Sequence, residues 1–476
     1  MEIFIVKLLS AVGIQIEMIR KILDIPNTIL TLGVLMKKKK FLIFIFFIFL
    51  LISIKYAQTK LEDVETFTLN NGMKFILLPD NYLPNISMYI FFMVGSRNET
   101  TGFTGLSHFL EHMMFNGSKK YGPKMFDYTM ETSGGQCNAH TNENFTVYMD
   151  TFPSSSIENI FDLEADRINY LKLDPKIIES ERSVVLSERI TGIENSNRRF
   201  LTEQLQAIAF FSHPYRWPVV GYESDIKNWK QSDVQGYFNR YYTPNNSLIV
   251  ITGDVTLKQV KKLAQKYFGS IPVRESIPII HTYEPEQLGE KRFIIYKNIS
   301  SPIMLIAFHV PNTASSEYYA LEILNFILTN GNSSRLYKSV HSEKELAVKI
   351  ISYLPFSIDP NLFYIYAECS SNGDAISLEK AILNELDDIS NEGVSDYELQ
   401  KAKNLKLIEF FYNMETNSGK ADSLGAYEIY FGSYKKLFSA PEEIKKVTNE
   451  DIKKVAKKYF KKTNCTIGIL RMLESN

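Results

Sequence analysis

The sequence predicts an α+β protein of two homologous halves, each a mostly antiparallel sheet with helices packed on one face. Three observations carry this. Strand and helix patterns alternate without the regular βαβ spacing of a doubly wound sheet, the same order of elements occurs twice, and a Pro-rich stretch of mixed polarity separates the two runs. The 476 residues are enough for two ordinary domains, each with its own core.

The first 57 residues stand apart from this scheme. Met36 opens MKKKKFLIFIFFIFLLISI, in which Lys37 to Lys40 precede an apolar run from Phe41 to Ile54. A basic cluster followed by a short apolar run is the layout of a secretory signal peptide, expected here over residues 36–57. The run is short for a spanning helix, which needs about 20 apolar residues. An uncleaved membrane anchor is the alternative. Around the expected cut, Ala57 fits, but Lys55 stands where a small residue is preferred. Residues 1–35 match no targeting pattern and are expected not to belong to the native start, with Met36 as the true first residue. The chain is therefore expected to be exported, periplasmic or secreted.

The first half is expected over residues 58–272. VETFTLNNGMKFILLPD (64–80) alternates about Asn71-Gly72 and reads as a β-hairpin. NISMYIFFMV is a further strand, leading through a glycine-containing loop into a helix that carries HFLEH (108–112), after which GGQCNAHTNENFTVYMDTF is extended. SSSIENIFDLEADRINYL and DPKIIESERSVVLSERI are helical patterns, the second opened by Asp174 as N-cap and Pro175 in the first turn. SDVQGYFNRYYTPNNSLIVITGDV closes the half as helix then strand.

A linker is expected over 273–290 and the second half over 291–476. KRFIIYKN and SPIMLIAFHVPN are strands, YYALEILNFILTNG is a helix ending in glycine, and LAVKIISYLPF pairs with LFYIYAECS. DAISLEKAILNELDDIS and SDYELQKAKNLKLIEFFYN are helices; VTNEDIKKVAKKYFKKTNCTIGIL repeats the closing helix and strand, with Thr448 and Asp451 as a capping pair.

Composition narrows the function. Lys and Arg number 53 against 54 Asp and Glu, and no long basic block lies outside the N-terminus, which argues against nucleic acid as a partner. Cys137, Cys369 and Cys465 are too few and too odd in number for a disulfide framework.

The chemistry-bearing motif is HFLEH. On a helix, His108 and His112 share a face and can direct ring nitrogens at one ion. Glu111 lies beside them, close enough to bond a water on that ion and to take its proton during attack on a peptide carbonyl. This is the inverted form, HxxEH, of the zinc-peptidase motif. The competing reading is a helix with two histidines in a polar crevice. In DPKIIESERSVVLSERI, Glu181 and Glu188 lie two turns apart on one face, with Val184 and Val185 between them to hold the helix on a core. One carboxylate can complete a metal site while the other orients a ligand or the water. The alternative is a solvated face of Glu-Arg pairs, since Arg182 and Arg189 follow the two glutamates.

These segments together resemble the pitrilysin/insulinase family of zinc metallopeptidases, in particular its half-length, two-domain members such as bacterial processing-type peptidases. GLSHFLEHMMFNGS, GGQCNAHT, ERSVVLSER, HPYRWPVVGYE, YYTPNNSLIVITGDV and GNSSRLYKSVHSEKEL resemble family blocks in order along essentially the whole chain after the leader. The resemblance implies the mitochondrial-processing-peptidase/LuxS-like metallohydrolase fold with a metal site in the first half only. It implies His108, His112 and Glu188 as ligands of one Zn2+, Glu111 as general base, and Glu181 as a supporting carboxylate behind the ligands. It implies zinc-dependent endopeptidase action on extended peptides or unfolded segments. The strand around Asn138-Ala139 would pair with substrate backbone. His140 and Cys137 read as ordinary strand residues, Cys137 having no partnered base.

Active relatives use an Arg and, seven residues on, a Tyr from the facing subunit of a dimer. Here those positions are His341 and Val348, and neither replaces the pair. A dimer is therefore expected, with two alternatives: a heterodimer whose related second chain supplies the Arg and Tyr, or a homodimer that uses other residues. A non-catalytic scaffold subunit of such a heterodimer is the alternative function.

Overall fold

The computed structural model describes residues 60, 63–371 and 374–473. The early segment 1–35 and the expected export segment 36–57 lie outside the described residues. Among the described residues, no helix is long and apolar enough to cross a membrane.

The hairpin expected around Asn71-Gly72 is present: β1 (Glu65–Thr68) pairs antiparallel with β2 (Lys74–Pro79). Gly72 has a φ of +88°, a region open to glycine, and a Cβ there would come within 2.8 Å of Asn245 Cβ. β3 (Asn85–Phe92), β4 (Gln136–Thr141), β5 (Thr146–Pro153) and β6 (Ser247–Gly253) complete a sheet in the order β1-β2-β6-β3-β5-β4. Its neighbours are antiparallel except β2 and β6. In the second half β7 (Lys291–Lys297), β8 (Ile303–Val310), β9 (Ala347–Tyr353), β10 (Asn361–Cys369) and β11 (Cys465–Met472) follow the order β7-β11-β8-β10-β9. Again one pair is parallel, β7 with β11. Setting β2 on β7, β6 on β11, β3 on β8, β5 on β10 and β4 on β9 superposes the two plans. The segment between the last helix of the first half and β7 contains neither helix nor strand.

Within β2, β3 and β6 successive side chains face opposite sides, as a strand period of two requires, and both sides are apolar. On one side Phe75, Leu77, Met88, Ile90, Ile249 and Ile251 pack against helices of the same half: α1 (Leu106–Met113), α3 (Ile157–Tyr170), α7 (Gln231–Tyr241) and α8 (Leu257–Tyr267). α2 (Met125–Thr132) adds Phe126 and Met130 to that core. The other side, Ile76, Leu78, Phe91, Leu248 and Val250, is covered from the second half, by Ala421, Leu424 and Tyr427 of α12 (Asn417–Tyr430).

The exchange is reciprocal. The second sheet packs one side against its own α9 (Tyr318–Thr329), α10 (Ala375–Glu392) and α14 (Asn449–Tyr459), with α11 (Asp396–Asn413) adding Ala402. Its other side receives Leu201, Leu205 and Ala209 from α5 (Asn197–Ala209) of the first half. Each half's own helices thus cover one face, as the periodicity predicts, and a helix lent by the other half covers the second face. At the α12 contact the chain has Gly425, where a Cβ would stand 2.3 Å from the Phe91 ring. Burying one leucine such as Leu424 in this seam contributes about 1.5–3 kcal/mol.

Candidate metal centre

α1 is held rigidly at its start. The backbone N–H groups of Gly105 and Ser107 donate to the buried Glu99 carboxyl at 2.7 and 2.8 Å, and the Ser107 hydroxyl pairs with Tyr237 at 2.8 Å. Burial raises the Glu99 pKa to about 8 against the opposing pull of those two N–H groups. Leu106, Phe109, Leu110 and Met113 fill the core. His108, Glu111 and His112 are left on the open face, as the i, i+3, i+4 geometry dictates.

α4 (Pro175–Arg189) begins as its sequence predicts, with the Asp174 carboxylate accepting from Lys176 N at 2.8 Å and Pro175 in the first turn. Its buried stripe is Ile178, Arg182, Val185 and Arg189. Val185 anchors the helix, but Val184 is 48% exposed, so only one of the two valines does what the pattern predicts. The arginines do not form a solvated face. Arg182 donates to the carbonyl oxygens of Ile226 and Trp229, and Arg189 to Glu203 and to the carbonyl of Gly221. Tied down in this way, the helix turns Glu181 and Glu188 toward α1. Directly after Glu188 the helix widens into a π turn, Ile190–Glu194, a rare local geometry that recurs at functional sites.

The three expected ligands meet. Glu188 Oε2 lies 3.4 Å from His112 Nε2 and 3.7 Å from His108 Nε2, and one atom from each residue falls within 4.8 Å of the others. Around a tetrahedral ion with bonds near 2.1 Å, ligand atoms are about 3.4 Å apart, so the spacing suits zinc. Glu181 Oε1 bonds His112 Nδ1 at 2.8 Å, and its Oε2 accepts from Asn116 Nδ2 at 3.0 Å. A carboxylate on the far nitrogen fixes the tautomer that leaves Nε2 free for a metal.

Electrostatics agrees with the geometry. Burial would lower the His112 pKa, but hydrogen bonds to Glu181 and Glu188 outweigh it and raise it to about 9. Burial, then the charge of His112, lowers His108 to about 4. Three carboxylates facing two imidazoles make a donor set that calls for a cation. Burial raises the Glu111 pKa, opposed by a 2.6 Å hydrogen bond from the Thr141 hydroxyl to its Oε2.

β4 is the edge of the first sheet and pairs with β5 alone among the described residues. No strand covers its outer side among the described residues, and Asn138 is exposed, its Oδ1 accepting from Ala139 N. His140 points away from the three-ligand cluster, against Phe145, and burial pushes the Cys137 thiol up to about 12, which suits neither a ligand nor a nucleophile. Thr141 and Asn116, which orient Glu111 and Glu181, were not singled out by sequence reasoning. Asn116 lies one helical turn beyond His112, and that spacing could have marked it.

The comparisons with known proteins agree on the class. Residues 75–221, which include every residue of the cluster, match the model of the insulinase family (peptidase family M16), and residues 228–406 match the model described as the peptidase M16 inactive domain. The chain belongs to this pitrilysin/insulinase family, as a half-length member with two domains. It is similar to the zinc protease PqqE of Helicobacter pylori (29% identical, 87% of this chain and 94% of that one) and to an uncharacterized zinc protease, YmxG, of Bacillus subtilis (25%, 83% and 96%). The mitochondrial-processing peptidase subunit beta of Lentinula edodes is 25% identical over 83% of this chain and 87% of its own length. Among solved structures, a protease from Helicobacter pylori superposes with a TM-score of 0.83 at 28% identity, covering 86% of this chain and 99% of that one.

Proposed function

We propose that the protein is a zinc-dependent endopeptidase that cleaves extended peptides or unfolded segments. One observation carries the reading: the Nε2 atoms of His108 and His112 and Oε2 of Glu188 converge, while Glu111, on the same helix, is held by Thr141. The match to an inactive-domain model concerns residues 228–406 and leaves these four residues aside.

Zinc bound there would acidify a water and polarise the scissile carbonyl. Glu111 accepts the proton released as the water attacks and returns it to the leaving amine. Its raised pKa brings it nearer to neutral, where a carboxyl group can both take and give a proton. Glu181 keeps the His112 ring oriented. The open edge of β4, with Asn138 and Ala139, pairs with substrate backbone and sets the carbonyl in line by main-chain hydrogen bonds.

The reading includes a partner. Val348 is exposed on the edge strand β9 and has no polar group, and His341 donates its Nδ1–H to the carbonyl of Ala347 at 2.8 Å, which leaves one ring nitrogen where an Arg would offer a charged fork. A related chain that supplies an Arg and a Tyr would complete the site as a heterodimer, acting outside the cytoplasm after export through residues 36–57.

Glu111→Gln tests the mechanism. Peptide turnover should fall by about 1,000-fold or more while zinc content and melting temperature hold. Equal turnover by both proteins would remove Glu111 from the chemistry.

A further inference from the structure

Beside the three-residue cluster lies a cavity of about 590 Å3 between the two halves. His108 and Glu188, Arg198 and Arg199 of α5, and Tyr353 and Tyr364 of the second sheet are among the residues that line it. The tyrosine rings stack 4.5 Å apart, almost parallel, and Gln206 Nε2 donates to the Tyr364 hydroxyl at 3.1 Å, so that part of the lining is fixed. α5 is equally fixed, by Leu201, Leu205 and Ala209 on the second sheet.

The charges that line the cavity are unbalanced. Glu203 is occupied by Arg189 at 2.8 Å, burial draws Glu143 toward its neutral form, and Glu188 faces the imidazoles. Arg199 reaches the Gly192 carbonyl at 3.5 Å and also acts electrostatically on Glu188. Arg198 has no ion pair with a carboxylate among the described residues, yet it lines the cavity and its charge is felt at Tyr353 and Tyr366. A guanidinium on a rigid helix with its donors free matches one class of ligand well, a carboxylate bound by two parallel hydrogen bonds. A substrate Lys or Arg would instead meet two like charges.

We propose that this cavity is a specificity pocket for an Asp or Glu side chain of the substrate flanking the scissile bond, with Arg198 as the residue that binds its carboxylate. The tyrosine pair packs the stem of that side chain, and the nearby His108 and Glu188 put the pocket within one or two residues of the reacting carbonyl. The inference rests on the peptidase reading, whose failure its test separates from its own.

The experiment measures binding, then cleavage. Zinc-loaded chain carrying Glu111→Gln is titrated with fluorescent peptides that differ at one position as Glu, Gln or Lys. The same titration is made with Arg198→Gln and with Arg198→Glu added; Arg198 is exposed, and each variant is checked for an unchanged melting temperature and zinc content. The Glu peptide should bind about 10-fold tighter than the Gln peptide, lose that advantage in Arg198→Gln and in high salt, and yield first place to the Lys peptide in Arg198→Glu. Equal affinities, or a preference for Glu that survives both substitutions, would overturn the pocket. If the preference holds and the Glu111-intact protein taken from its native source, with any related chain that copurifies, cleaves none of the peptides, the pocket stands and the peptidase reading falls.

Discussion

The helices that follow β3 in the first sheet and its counterpart β8 in the second show how one plan yields two outcomes. In the first half this is α1, with four apolar residues in the core and its other face open, where His108, Glu111 and His112 stand. In the second half it is α9, buried on nearly every side by Tyr318, Ala320, Leu321, Ile323, Leu324, Phe326, Ile327 and Leu328. Its acidic residue at mid-helix, Glu322, is spent on Lys406 at 2.6 Å. The two starts differ as well. Buried Glu99 takes two backbone N–H groups of α1, whereas Glu317 at the start of α9 pairs with Lys458 at the surface. A metal centre therefore needs more than the shared topology: it needs a helix left uncovered on one face and held firmly on the other.

The contrast can be broken most completely at the ligands. His112→Ala should abolish zinc retention, read by metal analysis after dialysis, whereas Glu322→Gln should leave one zinc per chain. Loss of zinc in both would place metal binding in the whole fold instead of in α1.

The dependence of each half on the other is tested at Gly425. Alanine there meets the Phe91 ring, and the overpacking should outweigh the gain in helix propensity, destabilising the protein by about 2 kcal/mol in denaturant unfolding. Gly236→Ala is the control: it lies inside α7 with open space around its Cβ and should stabilise by about 0.5–1 kcal/mol. Because the contact joins the second half to the first sheet, Gly425→Ala should lower one common transition. Two separated transitions, with the sheets unfolding apart, would refute the interdependence.

A gentler probe is pH. Glu99 has a folded pKa of about 8, above its unfolded value near 4.5, so the native state keeps a proton that the unfolded chain releases. Stability from this group is complete below about pH 4.5 and declines as pH rises through 8, by about 3 kcal/mol between pH 5 and 7. Glu99→Gln, which cannot titrate, should flatten that decline in melting curves; an unchanged slope would assign it to other groups.

Much of the site was legible in the sequence because it is local. HFLEH fits on two turns of helix, and Glu181 and Glu188 share one face of the next long helix, so spacing alone brings each pair onto one side. Joining the two helices took the family resemblance, and the structure adds what holds them: Arg182 and Arg189, read as a possible solvated face, bind backbone carbonyls instead. The turn at Asn71-Gly72 and the caps at Asp174 and Thr448 are equally local and stand where expected. α5 and α12 went unread. Their apolar residues pack on the sheet of the opposite half, and periodicity names a face without naming what will cover it. α12 also places glycine at 419 and 425, which weakens any helical pattern. The cavity beside the metal centre, assembled from α5, β9 and β10, is invisible for the same reason.

The lending of α12 to the first sheet also sets a timetable for synthesis. β6, the last strand of that sheet, ends at Gly253, but the helix that closes its second face ends only at Tyr430. At ordinary translation rates the ribosome needs roughly 10–35 s to cover that interval. A first sheet formed within it would leave Ile76, Leu78, Phe91 and Val250 without the helix that covers them. Bare apolar surface of that kind is what chaperones bind, and the half that carries the candidate metal centre is completed only when most of the other half has been synthesised.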